Sequence, residues 1–199
     1  MSEHRHRIGQ ILEEADDRLA AARAGLGVVK SGPYQLKAGF RNVAVFGRMV
    51  TFVTNNLRDK LDGFEEWDAA AKERHFGDGL GRLMNDMRLA FEKQATNPIA
   101  SHTHIKHFDS SMMQKFPKPE GAVAFFMGDK VGGSGWMIET PDGAHIPYYI
   151  DLPGDVAEVT VVAVNKNQSY DLIELAERYI SALESYMGDL KVFAHDQIT

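Results

Sequence analysis

The chain has 199 residues, 44% hydrophobic and 10% aromatic, enough for one globular domain with its own apolar core. It contains no cysteine, which excludes disulfide scaffolds, thiol catalysis, iron–sulfur clusters and cysteine-ligated zinc and leaves only nitrogen and oxygen chemistry. Its 28 acidic residues outnumber 22 basic ones, and the formal charge of −6 works against nucleic-acid or anionic-membrane binding in the absence of a local basic site.

The opening MSEHRHRIGQILEEADD lacks the apolar stretch and cleavage site of a secretory signal, and no apolar run approaches the roughly 20 residues that span a bilayer. The expectation is a soluble cytoplasmic protein with no membrane segment. Ile8, Ile11, Leu12, Ala15, Leu19 and Ala22 recur at helical spacing, and the pattern predicts a first helix ending near Gly25 to Gly27. Gly32-Pro33 reads as a turn. A second helix from about Phe40 to Leu61 places Val43, Phe46, Val50, Val53, Leu57 and Leu61 on one stripe. Asp62-Gly63 stops it, Phe64 to Phe76 forms a short helix carrying Trp67, and Leu80, Leu83, Met84, Met87 and Phe91 mark another, with Asp78 as its cap.

After Asn97-Pro98 the periodicity changes. Ala122 to Met127 is a short apolar run, Gly135 to Ile150 reads as a hairpin about Pro141-Asp142-Gly143, and Glu158 to Asn165 is a β-branched strand. Asp171 and Glu174 then have capping-box spacing ahead of a helix with a seam of Leu172, Ala176, Tyr179, Leu183, Tyr186 and Leu190. The predicted class is α+β: a helical bundle with a small antiparallel sheet of three or four strands and a long C-terminal helix. Along the chain this gives a helical bundle over 1–96, a His-rich connecting loop over 97–120, an antiparallel β unit over 121–166 and a helix over 167–199 that packs back on the bundle, all in one compact domain. The seams on the second and last helices could build a symmetric dimer, or pack within the chain.

The densest set of candidate ligands is SHTHIKHFD, with His102, His104 and His107 close together and Asp109 following. Three imidazoles on one loop can converge on zinc or another divalent transition metal. The spacing is superficially that of the metallo-β-lactamases, but Lys106 stands where that family has its second-metal aspartate. A polar loop with solvated or hydrogen-bonded histidines is the preferred reading. The glycine-rich GDKVGGSGW lacks the Gly-Lys-Ser/Thr and following helix of a phosphate loop and reads as a turn or bulge between strands. No Gly-x-Ser-x-Gly elbow occurs.

The stretch RNVAVFGRMVTFVTNNLRDKLDGFEEWDA, then GLGRLMNDMRLAFEKQ and MGDKVGGSGWMIETPDGAHIPYYIDLP, resembles a group of uncharacterised bacterial proteins that end in a small β unit. The helical part resembles the HEPN superfamily (higher eukaryotes and prokaryotes nucleotide-binding). That resemblance implies a helical domain that dimerises, from a group in which many members cut RNA in toxin–antitoxin or phage-defence systems. Active members carry Arg followed four to six residues later by His, and none of the eight histidines here has such an arginine. The nearest counterpart is MRLAFEK, where Arg88 takes the arginine position and Lys93 stands in place of the histidine. The resemblance therefore implies a degenerate member, with Arg88 and Lys93 contacting a partner or an anion; a solvated helix face is the plainer alternative. The leading expectation is a noncatalytic interaction or regulatory protein with no cofactor, working with a protein partner or as a homodimer. The rival is a metal-dependent hydrolase or nuclease using His102, His104 and His107 on zinc.

Overall fold

The computed structural model describes residues 2–31, 35–94, 97–106, 109–129 and 133–198. The class is α+β, as the segregated helical and strand patterns imply. The chain divides into two compact units: Met1–Pro98 with Leu172–Thr199 is helical, and Ile99–Asp171 is built of strands.

The helical unit contains α1 (Ser2–Lys30), α2 (Leu36–Thr54), α3 (Phe64–Phe76), α4 (Leu80–Glu92) and α5 (Leu172–Ile198). Its largest interface joins α1 to α2, and α5 packs on α1, α2, α3 and α4. Ile8, Ile11, Ala15, Leu19, Ala22 and Val29 of α1 are all buried. The helix runs past Gly25 to Lys30 instead of ending there, because Gly25 belongs to this buried seam. A Cβ at Gly25 would lie 2.8 Å from the Gly39 carbonyl oxygen and 2.9 Å from Val43 N, so the missing side chain lets two helix backbones touch. Gly27 has open space around the same position. Gly25→Ala is therefore expected to cost about 1–3 kcal/mol by overpacking, while Gly27→Ala gains up to about 1 kcal/mol in helix propensity. Urea denaturation of the two variants checks this, and equal effects would contradict it.

Ion pairs show how α5 lies along α1. Asp16 pairs with Lys191 (2.8 Å), Arg23 with Glu184 (2.5 Å) and Lys30 with Glu177 (2.5 Å). Each step of seven residues forward on α1 is seven backward on α5, so the helices are antiparallel with heptad-spaced charge pairs beside an apolar seam. All these groups are substantially exposed and add little stability individually; the burial beside them does more. Leu172, Ala176, Tyr179, Leu183, Tyr186 and Leu190 are buried, as are Val43, Val50, Leu57 and Leu61. The two seams that could have served a dimer are thus already covered within the chain.

In the strand-built unit, β1 (Ile99–Ile105), β5 (Ala157–Asn165) and β6 (Gln168–Asp171) form one antiparallel sheet in the order β1-β5-β6. A second sheet has the order β2-β3-β4, from β2 (Ala122–Phe126), β3 (Ser134–Glu139) and β4 (His145–Ile150). Two sheets replace the single one expected between Ala122 and Asn165. The segment 97–120, expected as a connecting loop, instead holds β1 and a short 3-10 helix, Ser110–Lys115. Its IASHTHI alternates and supplies β-branched residues, and pairing with β5 from Ile99↔Ala163 to Ile105↔Ala157 makes it a strand. The β5–β6 hairpin turns through Lys166 and Asn167, both with positive φ (46° and 67°), as a type I′ turn requires. Pro147 sits on β4, an edge strand, where its missing N–H costs no ladder bond. The core of this unit gathers Phe116, Trp136, Ile150, Val156 and Ala157, with Phe125 stacked on Phe116 and edge-on to Trp136.

Candidate functional site

The residues singled out in the sequence fall in different places. Arg88 lies on α4 and is already engaged: its Nη1 pairs with Glu92 Oε2 at 2.9 Å and its Nη2 donates to Asn85 Oδ1 at 3.2 Å. Lys93 is the exposed residue that closes α4. Five residues separate the two, which is about 140° around a helix, so they do not share a face. His102 and His104 stand two apart on β1, at register positions opposite Thr160 and Glu158. His104 is exposed, and His107 lies outside the described residues. Among the described residues no group of three His, Asp or Glu side chains is placed to hold a metal ion.

The helical unit instead contains a cavity of about 630 Å³ between α2, α3, α4 and α5, a size typical of small-molecule sites. Arg48 and Thr51 reach it from α2, Lys72 and Glu73 from α3, Arg82 and Asn85 from α4, and Tyr179 from α5. The turn between α3 and α4 is its rim, with Gly77 and Gly79 in the lining. Gly79 adopts φ +90°, a conformation that L side chains rarely take, and this sharp turn aims the start of α4 at the cavity.

The charges of this lining are unevenly matched. Lys72 Nζ donates to Asp68 Oδ2 at 2.5 Å and so carries its own counter-ion. Arg48 has none among the described residues: its Nη1 donates to Thr51 Oγ1 at 2.7 Å, its guanidinium lies 4.4 Å from the centre of the Phe52 ring, and its Nε is enclosed without a partner there. Arg82 is exposed and makes no hydrogen bond or ion pair among the described residues. Glu73 is the one carboxylate in the lining, set against three cations. In a chain of net charge −6, two arginines on one cavity, neither bonded to a carboxylate among the described residues, form a local basic site.

Tyr179 completes the lining. It is 3% exposed, and its hydroxyl makes no hydrogen bond among the described residues. Burial pushes the phenol above the ordinary tyrosine range against the opposing pull of Arg48 and Arg88, so it stays a neutral donor. Gly47 makes room for its ring, because a methyl there would collide with Tyr179 Cε1. Behind the cavity, Tyr186 donates to Asp68 Oδ1 at 2.7 Å and is 3.1 Å from Thr54 Oγ1. Burial raises the Tyr186 phenol as well; the Thr54 bond opposes that rise, and Asp68 adds to it. This network fixes Asp68, and Asp68 in turn holds the Lys72 ammonium.

Arg48, Arg82 and Tyr179 were not candidates in the sequence. Arg48 has no acidic residue three or four positions away, which is a weak sign of an arginine without a local partner. Tyr179 occupies a seam position indistinguishable from core. Among the described residues no helix is long and apolar enough to cross a membrane. Comparison with protein-family models, curated proteins and solved structures yields no match to this chain.

Proposed function

We propose that this protein is a noncatalytic regulatory protein whose helical unit binds a small anion, with Arg48 and Arg82 as its principal contacts. The observation that carries this reading is the presence of those two arginines, neither with a carboxylate partner among the described residues, on one cavity. The arginines and the tyrosine support a noncatalytic role: arginine does not exchange protons near neutral pH and Tyr179 is held protonated by burial, so none of them supplies general acid–base chemistry, and Glu73 and Lys72 are the remaining titratable groups of the lining. The HEPN resemblance supports the same role, since Lys93 stands where that superfamily has its histidine. Anion occupancy would then tune how the protein meets a protein partner or a second copy.

The test is thermal unfolding in about 50 mM inorganic phosphate against chloride at matched ionic strength, because a ligand that binds only the folded state raises the unfolding midpoint. The midpoint is expected to rise in the wild type and not in Arg82→Ala. Equal midpoints in phosphate and chloride for both proteins would contradict the proposal.

A further inference from the structure

We infer that the cavity seats the phosphoryl group of a small phosphomonoester at the start of α4; this rests on the anion reading above and narrows it. Helix α4 has 13 residues, and its first turn leaves the N–H groups of Gly81 and Arg82 without an acceptor among the described residues. Leu80 N–H is taken by Asp78 Oδ1 at 3.0 Å, and Leu83 N–H by the Gly79 carbonyl at 2.9 Å. Gly81 and Arg82 both line the cavity, so the positive end of the helix faces it.

Independent observations from two other helices point to the same ligand. On α5, the Tyr179 hydroxyl belongs to an almost wholly buried residue, lines the cavity and has no partner among the described residues. On α2, Arg48 lines the cavity without a carboxylate partner among the described residues; its Nε is enclosed, so its terminal nitrogens are the ones that can meet a ligand. Asn85 adds an amide whose oxygen is committed to Arg88 while its N–H donors have no partner among the described residues. The acidic groups nearby include Glu73 in the lining, Asp68 behind it, bound to Lys72, and Asp78 ahead of α4, which accepts the Leu80 N–H and is paired with Arg178.

Donors arriving from α2, α4 and α5 outnumber what a planar carboxylate with two oxygens can satisfy. A tetrahedral phosphoryl group with three terminal oxygens suits them better. The cavity far exceeds one phosphoryl group, and Ala69 and Phe76 give it an apolar wall, so the remainder of the ligand is a compact alcohol with an apolar face, esterified to the phosphate.

Phenyl phosphate, inorganic phosphate and benzoate are to be titrated calorimetrically into the wild type, Arg82→Ala and Tyr179→Phe. Phenyl phosphate is expected to bind the wild type at least about 10-fold tighter than benzoate, and tighter than inorganic phosphate. Its affinity should fall about 10-fold or more in Arg82→Ala and about 3- to 10-fold in Tyr179→Phe. Benzoate binding as tightly as phenyl phosphate overturns the phosphoryl assignment and leaves the anion reading standing. Inorganic phosphate binding more tightly than phenyl phosphate overturns the monoester assignment alone. Phenyl phosphate affinity unchanged in both variants puts the ligand elsewhere and overturns the site, and failure of all three probes to bind overturns both readings.

Discussion

Replacing Tyr186 with alanine is expected to lower the unfolding free energy by about 3–5 kcal/mol, as large aromatic truncations in a core do. Tyr186 is fully buried, with ring centroids 5.6 Å from Trp67 and 6.0 Å from Phe76. Its hydroxyl also donates to Asp68, a mostly buried carboxylate that loses a hydrogen bond when the ring is removed. Tyr186→Phe keeps the ring and should cost only about 1–2 kcal/mol. Urea titration of both variants separates the packing effect from that of the polar network. A Tyr186→Ala protein as stable as Tyr186→Phe would mean that the aromatic cluster does not hold α3 against α5.

The second large effect is on binding. Hydrogen bonds to charged groups contribute about 1.5–3 kcal/mol each, or about 10- to 100-fold in affinity. Combined replacement of Arg48 and Arg82 by alanine should therefore weaken phenyl phosphate by at least about 100-fold, without loss of fold. Arg82 is exposed and unpaired among the described residues, so its removal breaks no native contact there. Removing Arg48 forfeits its bond to Thr51 and its contact with Phe52, a cost of about 1 kcal/mol. Calorimetry and thermal unfolding on the same preparation check both halves. An unfolded double variant or an unchanged affinity would each count against the site as described.

Much of the fold was legible in the sequence because local signals and tertiary packing agree. Phe64 to Phe76, bounded by breakers, is the observed α3, and the Pro141-Asp142-Gly143 turn joins β3 to β4. The α5 seam is buried along its length. Where local and tertiary signals diverged, the sequence misled. Gly25 reads as a helix end but serves helix contact, and the histidine-rich stretch reads as a connecting loop although strand pairing places His102 and His104 in a sheet. Strand β6 has four polar-rich residues and owes its existence to the turn at Lys166 and Asn167. The cavity was illegible for a further reason. Arg48, Lys72, Arg82 and Tyr179 come from four helices and form no linear motif, and Tyr179 follows the same spacing as the core residues around it.

The central claim is that the start of α4 and the arginines around it form an anion seat. Its most direct test is a ¹H–¹⁵N correlation experiment on the labelled protein during titration with phenyl phosphate. The backbone amide signals of Gly81 and Arg82, together with Arg48 Nε–H and the Asn85 side-chain amide, are expected to move in a saturable, concerted way. Saturable shifts confined to residues outside this cavity, or no shifts at all, would contradict the account.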